Sequence, residues 1–267
     1  MKSMQSMPQT TRRQRVRLRE LAAKYECPAF TEDDPTQFLH AATGSDANRE
    51  TTAFVAACLS YGSRRQFIPK IEGVVAQAKG DVHDWVLSGK FRSYLCPTDD
   101  SCFYRLFSCA RMHAFFSALH DLLVAHGSIG AYLRDSGTTT GLAAVQALCA
   151  AFGNGAVAPI VPKDATSACK RLCLFLRWMV RDNSPVDAGL WSDWFDKRTL
   201  IIPLDVHVLR QATKLGLIHT QSASMHTALT LTSRLAEAFP DDPLKGDFAL
   251  YGLGIAAPEG RGNADNR

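Results

Sequence analysis

Apolar residues recur at a helical spacing along almost the whole chain. Near the amino terminus, Leu18, Leu21, Ala22 and Tyr25 follow the i, i+3, i+4, i+7 positions that one helix face presents. Alternation at every second residue, which is typical of half-buried strands, is almost absent. The pattern therefore predicts an all-α protein.

Capping residues, glycines and prolines divide this pattern into successive helices. Asp46 is the predicted cap of a strongly apolar helix, Gly62 is its predicted stop, and Gly216 is the predicted left-handed end of a later helix. Another helix is expected to begin after Pro69, because proline disrupts a helix interior. The predicted helical segments are 47–61, 70–80, 81–91, 101–127 (one or two helices), 128–136, 141–152, 166–181, 204–215, 222–239 and 243–255.

The bulk composition indicates a globular protein. Of the 267 residues, 46% are hydrophobic and 21% are charged, so most of the chain should bury a core. No apolar run reaches the roughly 20 residues that span a bilayer, and the first residues lack the apolar centre of a secretory signal. We therefore expect a cytoplasmic protein with no membrane partner.

The cysteines do not form a ligand motif. No two of the eight stand in a C-x-x-C pair, and their spacings fit neither a zinc nor an iron–sulfur site. A long chain without an export signal does not need a disulfide scaffold. We expect reduced cysteines, no metal and no cofactor.

The net charge is only +4, but the basic residues are clustered. Clusters of this kind suit the phosphate backbone of a nucleic acid, while a solvated helix face is the alternative for each of them. The segment 12–24 contains Arg12, Arg13, Arg15, Arg17, Arg19 and Lys24 against one acid, Glu20. The segment 163–181 contains Lys163, Lys170, Arg171, Arg177 and Arg181 against one acid, Asp164.

The second cluster lies on a predicted amphipathic helix. At about 100° per residue, Lys170, Arg177 and Arg181 fall within one narrow sector of its surface. Acids that normally interleave with such a row are missing, which favours a basic stripe for phosphate binding. The opposite, buried face is predicted to consist of Leu172, Phe175, Leu176 and Met179.

A single carboxylate stands where a hydrophobic segment turns into a helix, in LIIPLDVHVLR at 200–210. Asp205 suits a helix N-cap, because its side chain accepts hydrogen bonds from the first turn. On the helical wheel it lies on the apolar side with Val208 and Leu209, where burial raises a carboxyl pKa and helix N–H groups lower it. A sheltered carboxylate there also suits catalysis, because it stabilises a developing cation. Both interpretations stay open at this point.

Three segments together resemble the helix-hairpin-helix DNA glycosylase superfamily. The segment CKRLCLFLRWMVR at 169–181 is similar to the family's helix that begins with a lysine after the hairpin. The segment IPLDVHVLRQATKLGL at 202–217 is similar to the region of the family's essential aspartate, and FVAACLSYGSRRQFIPKI at 54–71 is similar to its early helix. The resemblance implies an all-α fold of two helical lobes with a cleft between them.

The same resemblance implies a base-excision DNA glycosylase with AP lyase activity, acting on an extruded oxidised purine such as 8-oxoguanine. Lys170 matches the nucleophile, and Asp205 matches the aspartate that stabilises the oxocarbenium-like sugar. The basic side chains expected to contact DNA phosphates are Arg64, Arg65, Arg171, Arg177, Arg181 and His207. The aromatic side chains expected to line a base pocket, with core packing as the alternative, are Tyr61, Trp178 and Trp194.

A second resemblance covers nearly the whole chain. The segments DPTQFLH, AACLSYGSRRQFIPKI, KRLCLFLRWMVR and DPLKGDFALYGLGI are similar to a widespread bacterial family of conserved hypothetical proteins with a domain-of-unknown-function label. Among characterised glycosylases, the archaeal 8-oxoguanine enzymes are the most similar type, because their lysine-to-aspartate spacing is also long.

The chain departs from the glycosylase pattern in three places. TSAC at 166–169 replaces the hairpin's Gly-x-Gly, Gly62 occupies the position of a glutamine, and Lys170 and Asp205 are 35 positions apart. These departures favour a non-catalytic DNA-binding protein on the same scaffold as the main alternative. An enzyme of another class that pairs Asp205 with His207 or His219, and a structural protein, are further alternatives.

These expectations define a domain plan. A basic helix and connector occupy 1–45 and pack on one lobe. The glycosylase-like domain spans 46–255, with lobes of approximately 46–160 and 161–255, and a polar tail at 256–267 is expected to be disordered. The expected partner is double-stranded DNA, so we expect a monomer associated with the nucleoid.

Overall fold

The computed structural model describes residues 9–256 except Asp33, Asn154 and Gln221, and leaves out the side chains of Phe30, Ile255 and Ala256. Over this part of the chain, twelve α-helices and one two-stranded hairpin form the fold, which confirms the prediction of a mainly helical protein. The polar tail predicted at 256–267 lies outside the described residues apart from its first position. Among the helices described, none combines the length and the apolar character needed to cross a bilayer.

The helices are α1 (Arg12–Tyr25), α2 (Thr36–Ala41), α3 (Asp46–Leu59), α4 (Arg64–Gln77), α5 (Val82–Leu87), α6 (Cys109–His126), α7 (Ile129–Asp135), α8 (Gly141–Phe152), α9 (Lys170–Val180), α10 (Val206–Lys214), α11 (Met225–Ala236) and α12 (Lys245–Ala256). The strands are β1 (Cys102–Tyr104) and β2 (Phe107–Ser108).

Local capping agrees closely with the sequence prediction. α3 begins at Asp46, but its cap is Ser45, whose Oγ accepts a hydrogen bond of 3.1 Å from the N–H of Asn48. Gly216 follows α10 in the left-handed conformation, with a φ of 68°, as predicted. The start of α3 and the end of α10 therefore agree with the sequence prediction to within a residue or two.

α4 differs from its predicted start. It begins at Arg64, and Pro69 lies inside the helix instead of before it. A proline there removes one backbone hydrogen bond. The helix continues through it because Phe67 and Ile71 on either side are buried, and their packing offsets the lost bond.

The first part of the segment 101–127, predicted to be helical, forms a hairpin instead. β1 and β2 pair in antiparallel fashion across a turn in which Arg105 is left-handed, with a φ of 51°. Phe103 and Phe107 are buried. These apolar residues therefore belong to a hairpin that packs on α6, and not to a helix face. α6 then runs to the predicted stop at Gly127.

α3 lies at the centre of the core. All residues at 53–59 are buried, as expected of a helix that others surround, and α3 packs against α2, α4, α5 and α9. The ring of Phe54 contacts the rings of Phe115, Phe152 and Phe175, with centroids 6.0, 5.2 and 5.1 Å away. This cluster joins α3 to α6, α8 and α9, so it crosses the boundary predicted between the two lobes. The lobes and their cleft stay predictions.

The basic helix α1 packs against α12, within the region predicted as the second lobe. Leu18, Leu21 and Ala22 form its buried face, as the spacing predicted. α12 also packs against α10. α12 therefore connects the N-terminal helix to the helix that begins after Asp205.

Candidate active site

Asp205 caps α10 with one of its two carboxylate oxygens. Its backbone is extended, with φ −122° and ψ −178°, and its Oδ1 accepts hydrogen bonds from the N–H groups of His207 at 2.9 Å and Val208 at 2.8 Å. The segment before it is held in the core because Leu200, Ile202 and Leu204 are buried. The N-cap interpretation of Asp205 is therefore confirmed.

The second oxygen of Asp205 binds the predicted nucleophile. The Nζ of Lys170 donates to Asp205 Oδ2 at 2.8 Å, although the two residues are 35 positions apart. The Lys170 side chain is 40% exposed and the Asp205 side chain 15% exposed. The active-site hypothesis requires these two side chains to lie together at an accessible place, and the fold brings them there.

Two opposing effects set the pKa of Asp205. Burial raises it, while the charge and hydrogen bond of Lys170 and the N–H of Val208 lower it, and the net pKa lies below the usual carboxyl range. Burial and the helix N–H groups were expected from the sequence to act on this pKa, whereas the larger lowering effect comes from Lys170, and the lowering contacts prevail. Asp205 is therefore an anion at neutral pH, paired with the Lys170 side chain.

The backbone before α9 fixes the direction of Lys170. Cys169 caps the helix in a left-handed conformation, with φ 46° and ψ 39°, which a non-glycine residue adopts at a cost of about 1 kcal/mol or more. The preceding residues pair with the segment before α11: Ala168 N–H donates to the Ala223 carbonyl at 3.3 Å, and Met225 N–H donates to the Thr166 carbonyl at 3.1 Å. The segment 166–169 thus makes a tight, paired turn without any glycine.

Asp34, Asp247 and Tyr251, to which no sequence pattern assigned a role, lie around Arg64 and this pair. Arg64 donates to Asp34 Oδ2 at 2.9 Å and to the Tyr251 hydroxyl oxygen at 2.6 Å. Burial raises the pKa of Tyr251, and the carboxylates of Asp34, Asp205 and Asp247 add to this, so Tyr251 is a neutral phenol in an acidic setting. The signal in the sequence is the i, i+4 spacing of Asp247 and Tyr251, which places both on one face of α12.

The predicted basic stripe is wrong for Arg177 and Arg181. They are 2% and 0% exposed, and each pairs with Asp187, so neither is accessible to a phosphate. Arg177 also pairs with Asp247. The further partners of Arg181 are Asp242 at 2.8 Å and Glu26 at 2.7 Å.

This buried ionic network adjoins the Lys170–Asp205 pair. Burial is the main effect that raises the pKa of Asp247, and the charge of Asp205 adds to it. Of the acids that neutralise Arg177 and Arg181, Asp187 lies only 10 and 6 positions away, but beyond the end of α9. The other acids are 61 to 155 positions away. A helical wheel of α9 alone therefore shows the two arginines without partners. The network is structural, because α9 is buried on all sides from Phe175 to Val180.

A comparison with protein-family models matches residues 34–256 to the family described as "Protein of unknown function (DUF2400)". The chain belongs to the DUF2400 family. The match confirms the resemblance to a domain-of-unknown-function family, and it carries no link to the glycosylases. Neither a curated protein nor a solved structure matches the chain.

The DUF2400 match begins after α1 and includes the site described above. Asp34 is its first residue, and Arg64, Lys170, Asp205 and Tyr251 all lie within it. The site is therefore a feature of the DUF2400 region of the chain, whereas the Arg-rich helix α1 lies outside the matched range.

The other predicted phosphate contacts within the DUF2400 region differ in accessibility. Arg171 is half-buried and donates to the carbonyls of Cys58 at 2.7 Å and Pro159 at 2.6 Å, so it holds two segments together. Arg64 is engaged with Asp34 and Tyr251, as described above. Arg65 and His207 are exposed, and their roles in DNA binding stay predictions.

The three predicted base-pocket aromatics lie in different places. Trp178 is 0% exposed, so its assignment to a pocket is wrong and the core-packing alternative holds. Trp194 packs under the guanidinium of Arg134, 4.5 Å from the ring centroid. It lies near Trp191, whose backbone N–H donates to the Met179 carbonyl at the far end of α9. Met179 is about 13 Å along the helix from Lys170. Trp194 therefore does not share a pocket with Lys170.

Tyr61 is the predicted aromatic that is still available to a ligand. Its side chain is 38% exposed, and its ring lies beneath the guanidinium groups of Arg105 and Arg171, at 5.1 and 5.6 Å from the ring centroid. Arg171 follows Lys170 directly, so Tyr61 is near the start of α9. Within the described part of the chain, no group of three or more His, Cys, Asp or Glu side chains is arranged to hold a metal.

Proposed function

We propose that the protein is a DNA base-excision glycosylase with lyase activity, and that Lys170 and Asp205 perform the reaction. The observation that supports this best is the 2.8 Å contact between the Lys170 amine and an Asp205 carboxylate that also caps a helix. The substrate class is duplex DNA with an oxidised purine such as 8-oxoguanine.

In the proposed reaction, Asp205 acts first on the sugar and Lys170 acts second. The bond between the sugar C1′ and the base nitrogen breaks, and its electron pair leaves with the base, which takes up a proton. The anionic Asp205 stabilises the positive charge that develops on the sugar. The Lys170 amine gives up the proton that the departing base takes up, and the neutral amine then forms the new bond to C1′. The bond from C1′ to the ring oxygen breaks, a proton moves from the amine nitrogen to that oxygen, and a Schiff base results. β-Elimination of the 3′ phosphate then cleaves the strand.

The accessible Tyr61 fits a stacking role in this proposal. An extruded base requires a flat apolar surface near the reacting sugar, and the partly exposed Tyr61 ring lies beside Arg171, one residue from Lys170. The two guanidinium groups over the ring hold it in place. A neighbouring cation also suits the phosphate that flanks an extruded nucleotide.

Borohydride trapping tests the proposal directly. The protein, mixed with duplex oligonucleotides that carry an abasic site or 8-oxoguanine, should form a covalent adduct on reduction. Lys170→Ala should abolish the adduct because it removes the amine. Lys163→Ala is the matched control, since Lys163 is exposed and lies only seven positions before Lys170, and it should leave trapping unchanged. Absence of trapping with every lesion would contradict the proposal.

A non-catalytic DNA-binding protein is the second candidate function. The observation that favours it is the segment before α9, where Cys169 occupies a position at which a glycosylase hairpin has glycine. The Lys170–Asp205 contact would then serve stability alone. Salt-dependent DNA binding without base release on any lesion would support this candidate.

A further inference from the structure

The surface holds a basic groove away from the candidate active site. The first turns of α1 and the end of α10 form its walls. Its charged lining consists of four cations and one acid: Arg12, Arg13, Arg17, Lys214 and Glu20. Glu20 pairs with Arg17 at 3.5 Å across two exposed side chains, and such a pair is weak. The groove is therefore strongly positive.

α1 is firmly attached beside α10. Gln14 Nε2 donates to the Leu215 carbonyl at 2.8 Å, directly after the end of α10. On the same helix Arg19 donates to the Ala238 carbonyl at 3.0 Å, and Arg15 donates to the Thr10 carbonyl. Gln14 and Arg19 thus dock the helix, while Arg12, Arg13 and Arg17 line the groove.

The outer face of α10 links this groove to Asp205. His207, Arg210 and Lys214 are exposed and stand at i, i+3 and i+7, so they follow one side of the helix. The helix contains no acid between Val206 and Lys214. Lys214 lies about 13 Å from the Asp205 cap at a rise of about 1.5 Å per residue, and it also lines the groove. We call Arg210 and Lys214 of this row, together with Arg12, Arg13 and Arg17, the cationic track.

We propose that the cationic track binds the phosphates of one strand of duplex DNA next to the nucleotide that the active site engages. This inference rests on the proposed function and extends it to a surface that lies partly outside the DUF2400 match. Phosphates on one strand are about 3.4 Å apart along the axis and farther apart along the winding strand, so the outer face of α10 is long enough to contact more than one of them. Phosphate binding along the track would explain why the Arg-rich helix α1 is docked beside α10.

The test compares two triple variants in a salt titration of DNA binding. Arg12→Ala/Arg13→Ala/Arg17→Ala removes the α1 part of the track. Lys90→Ala/Arg92→Ala/Arg198→Ala removes the same charge from exposed positions on other elements. Binding to an undamaged fluorescent duplex is followed by anisotropy. The slope of log affinity against log salt should fall by about 2 to 3 in the track variant, because each lost phosphate contact removes about 0.9. The control variant should keep the wild-type slope.

The outcomes separate the track from the active site. Equal slopes for both variants would overturn the track, even if Lys170-dependent trapping is observed. A lower slope in the track variant supports the track, whether or not trapping occurs. A track variant that binds DNA normally but no longer binds phosphatidylserine vesicles would overturn the assignment to DNA, because the partner would be an anionic membrane surface. Far-UV circular dichroism of both variants confirms that they are folded.

Discussion

Asp205 uses its two oxygens for two separate tasks. Oδ1 accepts two backbone N–H groups at the start of α10, and Oδ2 accepts the Lys170 amine. The sequence left a choice between a cap and a catalytic carboxylate, and the geometry shows that the two interpretations are compatible. An asparagine at this position keeps an oxygen for the cap and loses the charge.

Asp205→Asn should reduce the dependence of stability on acid pH. The folded pKa of Asp205 lies below its unfolded value, which is about 3.9. The stabilisation from its charge is therefore fully present above that value and is lost as pH falls through the lower folded pKa. Urea unfolding at a series of pH values measures this. The stability difference between wild type and variant should shrink toward acid pH.

The other carboxylates with lowered pKa values, such as Glu237 and Asp196, are present in both proteins and cancel in this difference. A constant difference at every pH would show that the Asp205 charge does not contribute to folding. Because Lys170 is 40% exposed, the full contribution at neutral pH is expected to be only about 1 kcal/mol.

At the scale of elements, α9 carries two unlike sets of basic residues. Lys170 and Arg171 stand at its accessible start, whereas Arg177 and Arg181 are enclosed by acids from other parts of the chain. The buried pairs attach α9 to α12 and to the segment that holds Asp187. A buried ion pair need not exceed an apolar replacement in stability, but removing one member of it leaves a charge unpaired.

Arg181→Met should destabilise the fold by about 3–5 kcal/mol, because Asp187 and Asp242 lose their shared partner in a buried place. Arg65→Ala removes an exposed arginine and should change stability by less than about 0.5 kcal/mol. The midpoints of urea unfolding measure both. Similar midpoints for the two variants would contradict the network described here.

How much the sequence could predict differs between these elements. The start of α3, the buried face of α1 and the cap formed by Asp205 were predictable, because each depends on a local pattern. The burial of Arg177 was not predictable, since Asp247 is 70 positions away. The hairpin at 102–108 was not predicted, because its strands contain only three and two residues. Strands this short are too short to show the alternation of apolar and polar residues.

At the scale of the whole molecule, α12 joins the parts that the proposal needs. It carries Tyr251 and Asp247 beside the candidate active site, and it supports both α1 and α10. Gly252 allows the close approach of α1, because a Cβ there would lie 2.1 Å from the Cγ of Tyr25. One glycine therefore sets the distance between the basic helix and the rest of the fold.

Gly252→Ala should loosen α1, since the added methyl group overlaps the Tyr25 ring, at a cost of about 1–3 kcal/mol. Gly254→Ala is the control on the same helix, because the nearest atoms to its Cβ would be 3.9 Å away. Limited trypsin digestion should cleave α1 sooner in the first variant than in the second. Equal digestion rates would mean that the close approach is not required for docking.

In the reaction proposed above, the fixed position of Asp205 determines which substrate charge the site favours. When the Lys170 amine turns toward a substrate, the α10 backbone still holds Oδ1, so the anion does not follow the amine. The Asp205 carboxylate then has no cation beside it, and it stabilises a positively charged sugar better than a neutral one. The same anion would thus receive two cations in succession, the resting amine first and the activated sugar second.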